Sequence, residues 1–161
     1  MPGKLLLLLC VISLITGCAS TAVFDTSVVE KSITPQRVID QPAESQGKTA
    51  LWGGTILEIR NLKDSTQIEV LAYPLDASQR PILSSKPLGR FVILQQGYLE
   101  PASYAQGALL SVLGTLGESQ SGQIGESTYI YPVIEAQQLQ LWTPDNSRSR
   151  FGFSFGLGIR L

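Results

Sequence analysis

Hydrophobic positions follow three rhythms along this chain. The first is continuous: Leu5 to Ile15 is mainly apolar, and Leu5 to Leu9 is unbroken. The second begins at Lys48, where apolar and polar residues start to alternate, and it runs to Trp142. The third is an alternation near the end, where Phe151, Phe153, Phe155, Leu157, Ile159 and Leu161 are separated by Gly, Ser and Arg. A period of two marks extended chain with one buried face.

Between the first two rhythms, Thr34-Pro35 reads as an N-cap followed by proline at the first helical position. This predicts a helical turn from Thr34 to Val38 or Ile39. A second turn is expected over Ala43 to Gln46, closed by Gly47. The alternating region then predicts strands at Leu51–Ile59, Thr66–Tyr73, Gly89–Gln95, Leu109–Leu116, Ile124–Ile134 and Leu139–Trp142. Turn formers lie between them at Asn61–Ser65, Asp76–Pro87, Gly97–Gly107 and Glu118–Gly122. Phe91-Val92-Ile93-Leu94 is apolar on both faces, which suits a central strand. Gly53-Gly54 inside the first strand suggests a bulge or a bend where another backbone approaches.

Short strands with no long amphipathic helix among them predict an all-β fold. The economical form is a small OB-like, partly open barrel of five to six strands, preceded by a signal peptide and a flexible tether. A lipocalin-like barrel would need eight longer strands.

The N-terminal rhythm is a targeting signal. Lys4 supplies its positive region, and an apolar block of about eleven residues is too short to span a bilayer, which needs about 20. Ile15-Thr16-Gly17-Cys18 resembles the lipobox of bacterial lipoproteins: aliphatic, small, small, cysteine. The resemblance implies cleavage before Cys18 and acylation of its thiol with diacylglycerol and palmitate. Ala19, rather than Asp, follows Cys18, which by likeness to enterobacterial lipoproteins implies the outer membrane, facing the periplasm. Cys10 lies inside the signal. The expected organisation is 1–17 signal peptide, 18–33 lipidated N-terminus and tether, 34–143 barrel domain, and 144–161 tail. A Ser/Thr-rich stretch such as Ala19–Val29, if flexible, reaches about 20 Å.

Composition narrows the chemistry. The chain has 161 residues, no His, two Cys and a formal charge of −1. Without His there is no Ser-His-Asp or Cys-His triad and no His-ligated metal. No cofactor and no metal are expected. The charge balance argues against nucleic acid, whose recognition needs a basic face. Glu58, Asp64, Glu69, Asp76 and Glu100 are scattered over strands and loops, so no catalytic residue is expected. Trp52, Tyr73, Tyr98, Tyr129, Tyr131 and Trp142 could form a stacking surface of the kind OB barrels use for oligonucleotides or sugars. Core packing also accounts for such residues. The stripe Phe151 to Leu161 reads either as a membrane or partner-directed strand or as an extra strand on the domain core.

Several motifs together resemble the Slp family of outer-membrane lipoproteins. They are Thr34-Pro35-Gln36-Arg37-Val38, Leu51-Trp52-Gly53-Gly54-Thr55-Ile56, Gln67 to Asp76, Gly89-Arg90-Phe91, Gly97-Tyr98-Leu99-Glu100-Pro101 and Leu113-Gly114-Thr115. Members are known as starvation-inducible lipoproteins of Gram-negative bacteria. The resemblance implies an outer-membrane anchor and a non-enzymatic envelope structural or stress-related role. The alternative is a periplasmic binding module for a glycan, lipopolysaccharide or partner protein through an aromatic barrel face.

Overall fold

A computed structural model describes residues 22–30 and 32–143. The signal segment, Cys18 and the stripe Phe151 to Leu161 lie outside these residues. The described chain opens with two helical turns, α1 (Pro35–Asp40) and α2 (Pro42–Ser45). Thr34 caps α1, its hydroxyl oxygen accepting from the Arg37 N–H at 3.3 Å. The capping expectation is met because Thr34 is extended and Pro35 presets the first helical φ.

Seven strands follow: β1 (Thr49–Asn61), β2 (Ser65–Ala72), β3 (Arg90–Gln96), β4 (Leu109–Leu116), β5 (Gln120–Ile124), β6 (Ser127–Tyr131) and β7 (Val133–Trp142). Five of them close into a barrel in the order β1-β2-β3-β7-β4, with β4 returning to β1. All ring pairings are antiparallel except β3 with β7. The fold is all-β as expected, a small barrel whose five-stranded ring is closed. β5 and β6 form a separate hairpin within the connection between β4 and β7.

Strand boundaries shift most after β4. The expected turn at Glu118–Gly122 instead starts β5, and the expected strand Ile124–Ile134 divides in two places. Gly125, with φ +60°, turns the hairpin. Pro132, which lacks an N–H, separates β6 from β7, while its carbonyl accepts from the Val92 N–H at 2.9 Å. β7 is correspondingly longer than the short strand expected at Leu139–Trp142.

Alternation, clearest on β2, fills the barrel. Ile56, Ile68, Val70, Phe91, Ile93, Leu110, Val112 and Ile134 are fully buried. The Trp52 ring meets Phe91 edge to face, with centroids 5.1 Å apart. Each such side chain contributes about 1.5–3 kcal/mol relative to exposure.

The barrel closes because β1 serves two partners. Its first half pairs with β4 and its second with β2, and Gly54 belongs to both ladders. A Cβ on Gly54 would collide with the Leu71 carbonyl of β2. A Cβ on Gly53 would stand 2.7 Å from both the Leu110 carbonyl oxygen and the Ser111 hydroxyl of β4. The Gly-Gly pair is therefore the close backbone approach anticipated, while the register slip itself lies further on, between Ile56 and Glu58. Gly54→Ala should lower the unfolding free energy by about 1–3 kcal/mol through overpacking against backbone. Urea titration followed by tryptophan fluorescence measures this. A value unchanged from wild type would contradict the close approach.

Candidate functional site

The loop after β2 is ordered by one carboxylate. Asp76 accepts from the Ser78 N–H at 2.8 Å, the Ser78 hydroxyl at 2.7 Å and the Arg80 N–H at 3.0 Å. These bonds, led by the Ser78 hydroxyl, hold its carboxyl below the ordinary value of 3.8. The turn leaves Gln79 at φ 69°, in the left-handed region. For a residue with a Cβ that conformation costs about 1–2 kcal/mol.

Gln79 is buried, and its hydrogen bonds offset that cost. Its Oε1 accepts from the Val23 N–H at 2.8 Å and the Phe24 N–H at 2.7 Å. Its Nε2 donates to the Phe24 carbonyl at 2.9 Å. One glutamine amide thus clamps the backbone of the N-terminal segment, and the Phe24 ring is buried with it. On its other side, the Gln79 carbonyl accepts from the Ser111 hydroxyl at 2.6 Å. Ser111 Oγ in turn accepts from the Trp142 indole N–H at 3.0 Å. Arg80 lies over the Trp142 ring at 5.7 Å and donates to the Thr143 carbonyl at 3.2 Å. Neighbouring residues of one loop therefore hold both ends of the domain.

The stretch expected as a tether includes residues that meet the barrel. From Val23 onward the segment is docked, with the Glu30 N–H bonding the Thr49 carbonyl at 3.0 Å. It runs over a cleft of about 410 Å³ whose walls include Val29, Ile33, Leu51, Tyr73 and Leu88.

The six aromatic residues do not form one stacking surface. Trp52 is buried in the core, and its indole N–H is taken by the Ile33 carbonyl at 2.8 Å. Tyr73 borders the cleft. Tyr98 is exposed, with its hydroxyl 3.3 Å from Glu100. Trp142 is engaged by Arg80 and Ser111. Only Tyr129 and Tyr131 are in contact, edge to face with centroids 4.8 Å apart. Strand alternation separates them: large aromatics on the inner face pack the barrel, and those outside land on different elements.

A second concavity lies between the outer face of β1–β2 and the β5–β6 hairpin. It measures about 210 Å³ and is walled by Glu58, Arg60, Gln67, Glu69, Gln120 and Tyr131. Glu69 pairs with Arg90 at 2.7 Å and accepts from the Tyr131 hydroxyl at 3.3 Å. The bond to Glu69 raises the Arg90 guanidinium above its ordinary value. Burial, reinforced by the Glu69 charge, raises the Tyr131 phenol.

Sequence reading missed Gln79. Asp76-x-Ser78 is a legible turn signal, but nothing local links Gln79 to a segment 55 residues away.

The profile of the Outer membrane lipoprotein Slp family matches residues 15–155, and the chain belongs to that family. It is 28% identical over 133 residues to the "Uncharacterized lipoprotein YeaY" of Escherichia coli, covering 80% of this chain and 67% of that one. It is 30% identical over 105 residues to the "Outer membrane protein Slp" of Escherichia coli, covering 65% and 55%. The chain thus spans between about half and two thirds of the length of these curated relatives. Among solved structures, a small single-stranded DNA-binding protein from Streptomyces coelicolor aligns with 64% of this chain and 98% of its own, at 14% identity and a TM-score of 0.37. A likeness of that degree carries no argument about ligands.

Two outcomes follow from the clamp. Gln79→Ala should cost about 1–3 kcal/mol, because it strands the polar groups of Val23 and Phe24. Hydrogen exchange should show Phe24 losing protection while the barrel strands keep theirs. The second outcome concerns acid. A carboxyl depressed by folding stabilises above its unfolded pKa and loses that contribution as pH falls through the lower folded value. The Gln79 backbone amide resonance should therefore hold steady from neutral pH to about 4, then move toward its position in Asp76→Asn. Asp76→Asn should abolish that titration.

Proposed function

We propose that this protein is anchored in the outer membrane by acyl chains on Cys18 and works there without catalysis, as a structural or stress-related element of the envelope. The supporting sequence is Ile15-Thr16-Gly17-Cys18, with cleavage before Cys18 removing residues 1–17 and Ala19 directing the product to the outer membrane. Each buried methylene of an acyl chain contributes about 0.8 kcal/mol, so several chains make detachment negligible.

The observation that carries the reading is the match to the Slp family over residues 15–155; the Gln79 clamp on Phe24 limits how far the barrel can stand from the anchor. Cys18 lies five positions before Val23, so even fully extended chain reaches only about 17 Å from the lipid to the docked segment. The barrel is held close to the periplasmic leaflet instead of ranging on a long tether. Two described carboxylates support a non-catalytic role: Glu69 is spent on Arg90 and Tyr131, and Asp76 orders a turn.

Cys18→Ala should abolish incorporation of labelled palmitate and remove the protein from the outer-membrane fraction. Palmitate still entering this variant would overturn the assignment. Gln79→Ala should remain fully acylated, because it alters the docking and leaves the lipobox intact.

A further inference from the structure

The cleft beneath the N-terminal segment has an unpaired stretch of backbone on its floor. Along β1 and the residue before it, even-numbered positions turn their backbone groups toward β4. The Leu116 N–H reaches the Lys48 carbonyl, and the Ile56 N–H reaches the Ala108 carbonyl, both at 2.9 Å. Odd-numbered positions turn the other way. There the Thr49 carbonyl accepts from the Glu30 N–H and the Gly53 carbonyl from the Tyr73 N–H, each at 3.0 Å. Leu51 stands between these two, half-buried, and among the described residues nothing bonds its N–H or its carbonyl.

The walls narrow the chemistry of what fits. Val29, Ile33, Tyr73 and Leu88 offer apolar surface around a space of about 410 Å³. A free N–H and carbonyl set among apolar walls suit one peptide unit flanked by apolar side chains. An acyl chain would fill the same walls and leave both polar groups unpaired, which is costly away from water. The charged residues on the lining are Glu30 and Asp76, both acidic.

This chain carries a segment with the matching properties. Phe151, Phe153, Phe155, Leu157, Ile159 and Leu161 alternate with residues that include Gly152, Gly156 and Gly158. Glycine lets a backbone come close to another. Arg148, Arg150 and Arg160 supply charge opposite to that of the lining. The described chain also ends at the right place. The Thr143 carbonyl is held by Arg80, next in sequence to the cleft-lining Gln79. The path from Thr143 to Phe151 spans up to about 27 Å when extended. A ligand tied to its site by so short a linker is present at an effective concentration on the order of millimolar, so a small site suffices to hold it.

We infer that the segment Phe151 to Leu161 docks in this cleft, pairing its backbone with Leu51 and setting apolar side chains against Val29, Tyr73 and Leu88. The cleft then joins both ends of the chain on one side of the barrel. Nothing in this depends on acylation of Cys18.

Amide hydrogen exchange of the purified full chain, followed by NMR, tests the docking. The Leu51 N–H should exchange at least about tenfold more slowly in the full chain than in a chain ending at Arg150, because only the docked segment pairs it. The Trp52 and Ile56 amides, which face β4, should exchange alike in both. Phe151→Ser/Phe153→Ser/Phe155→Ser keeps the tail's length and should expose Leu51 as the deletion does. Raising the salt concentration should weaken the protection, since it screens the arginines from Glu30 and Asp76. Equal Leu51 exchange in the full and shortened chains would overturn the inference. So would protection that grows with protein concentration, which would mark the tail of a second copy, or protection that the shortened chain keeps and Cys18→Ala loses, which would mark an acyl chain.

Discussion

Everything in this fold depends on two adjacent residues of β1 having no side chains. β1 must leave β4 and join β2 within its own length, and at Gly53 and Gly54 both neighbours come closer than a Cβ would permit. With that crossing made, the ring closes. The same bare surface admits the loop after β2. Leu75 lies where a Cβ on Gly53 would stand 2.9 Å from it, and the Tyr73 N–H bonds the Gly53 carbonyl at 3.0 Å. Barrel closure and loop placement are thus consequences of one steric allowance.

The loop converts that placement into control of the chain ends. A buried glutamine amide has one acceptor and two donors' worth of hydrogens, and Gln79 uses both ends of its amide on consecutive backbone groups of the N-terminal segment. Arg80, next in sequence, holds the end of β7. Because buried polar groups are costly when unpaired, the arrangement works as a unit: Gln79, Ser111 and Trp142 satisfy one another in series. The N-terminal segment is consequently tied to the barrel wall.

Much of the fold was legible in the chain. The period of two placed Ile68, Val70, Leu110 and Val112 inside, and all are fully buried. Thr34-Pro35 marked the start of α1 because its capping chemistry is local. Boundaries failed where the deciding partner was distant. Gln120 to Gly122 reads as part of a turn, yet it lies in a strand because β6 pairs with it. The aromatic residues failed as a site for a related reason. Residue type favours stacking equally inside and outside a barrel, and only the register of β1 sent Trp52 inward to Phe91.

The chain by itself determined the all-β class, the alternating core and the glycine bend, since each rests on residue type, period or short spacing. Tertiary structure alone decided that the tether docks, that Gln79 is its clamp, and that Gln67 faces Gln120 across a groove. Those contacts join residues more than 50 positions apart. Hydrogen bonds at such separations depend on barrel register and loop path, which leave no local trace in the order of the amino acids.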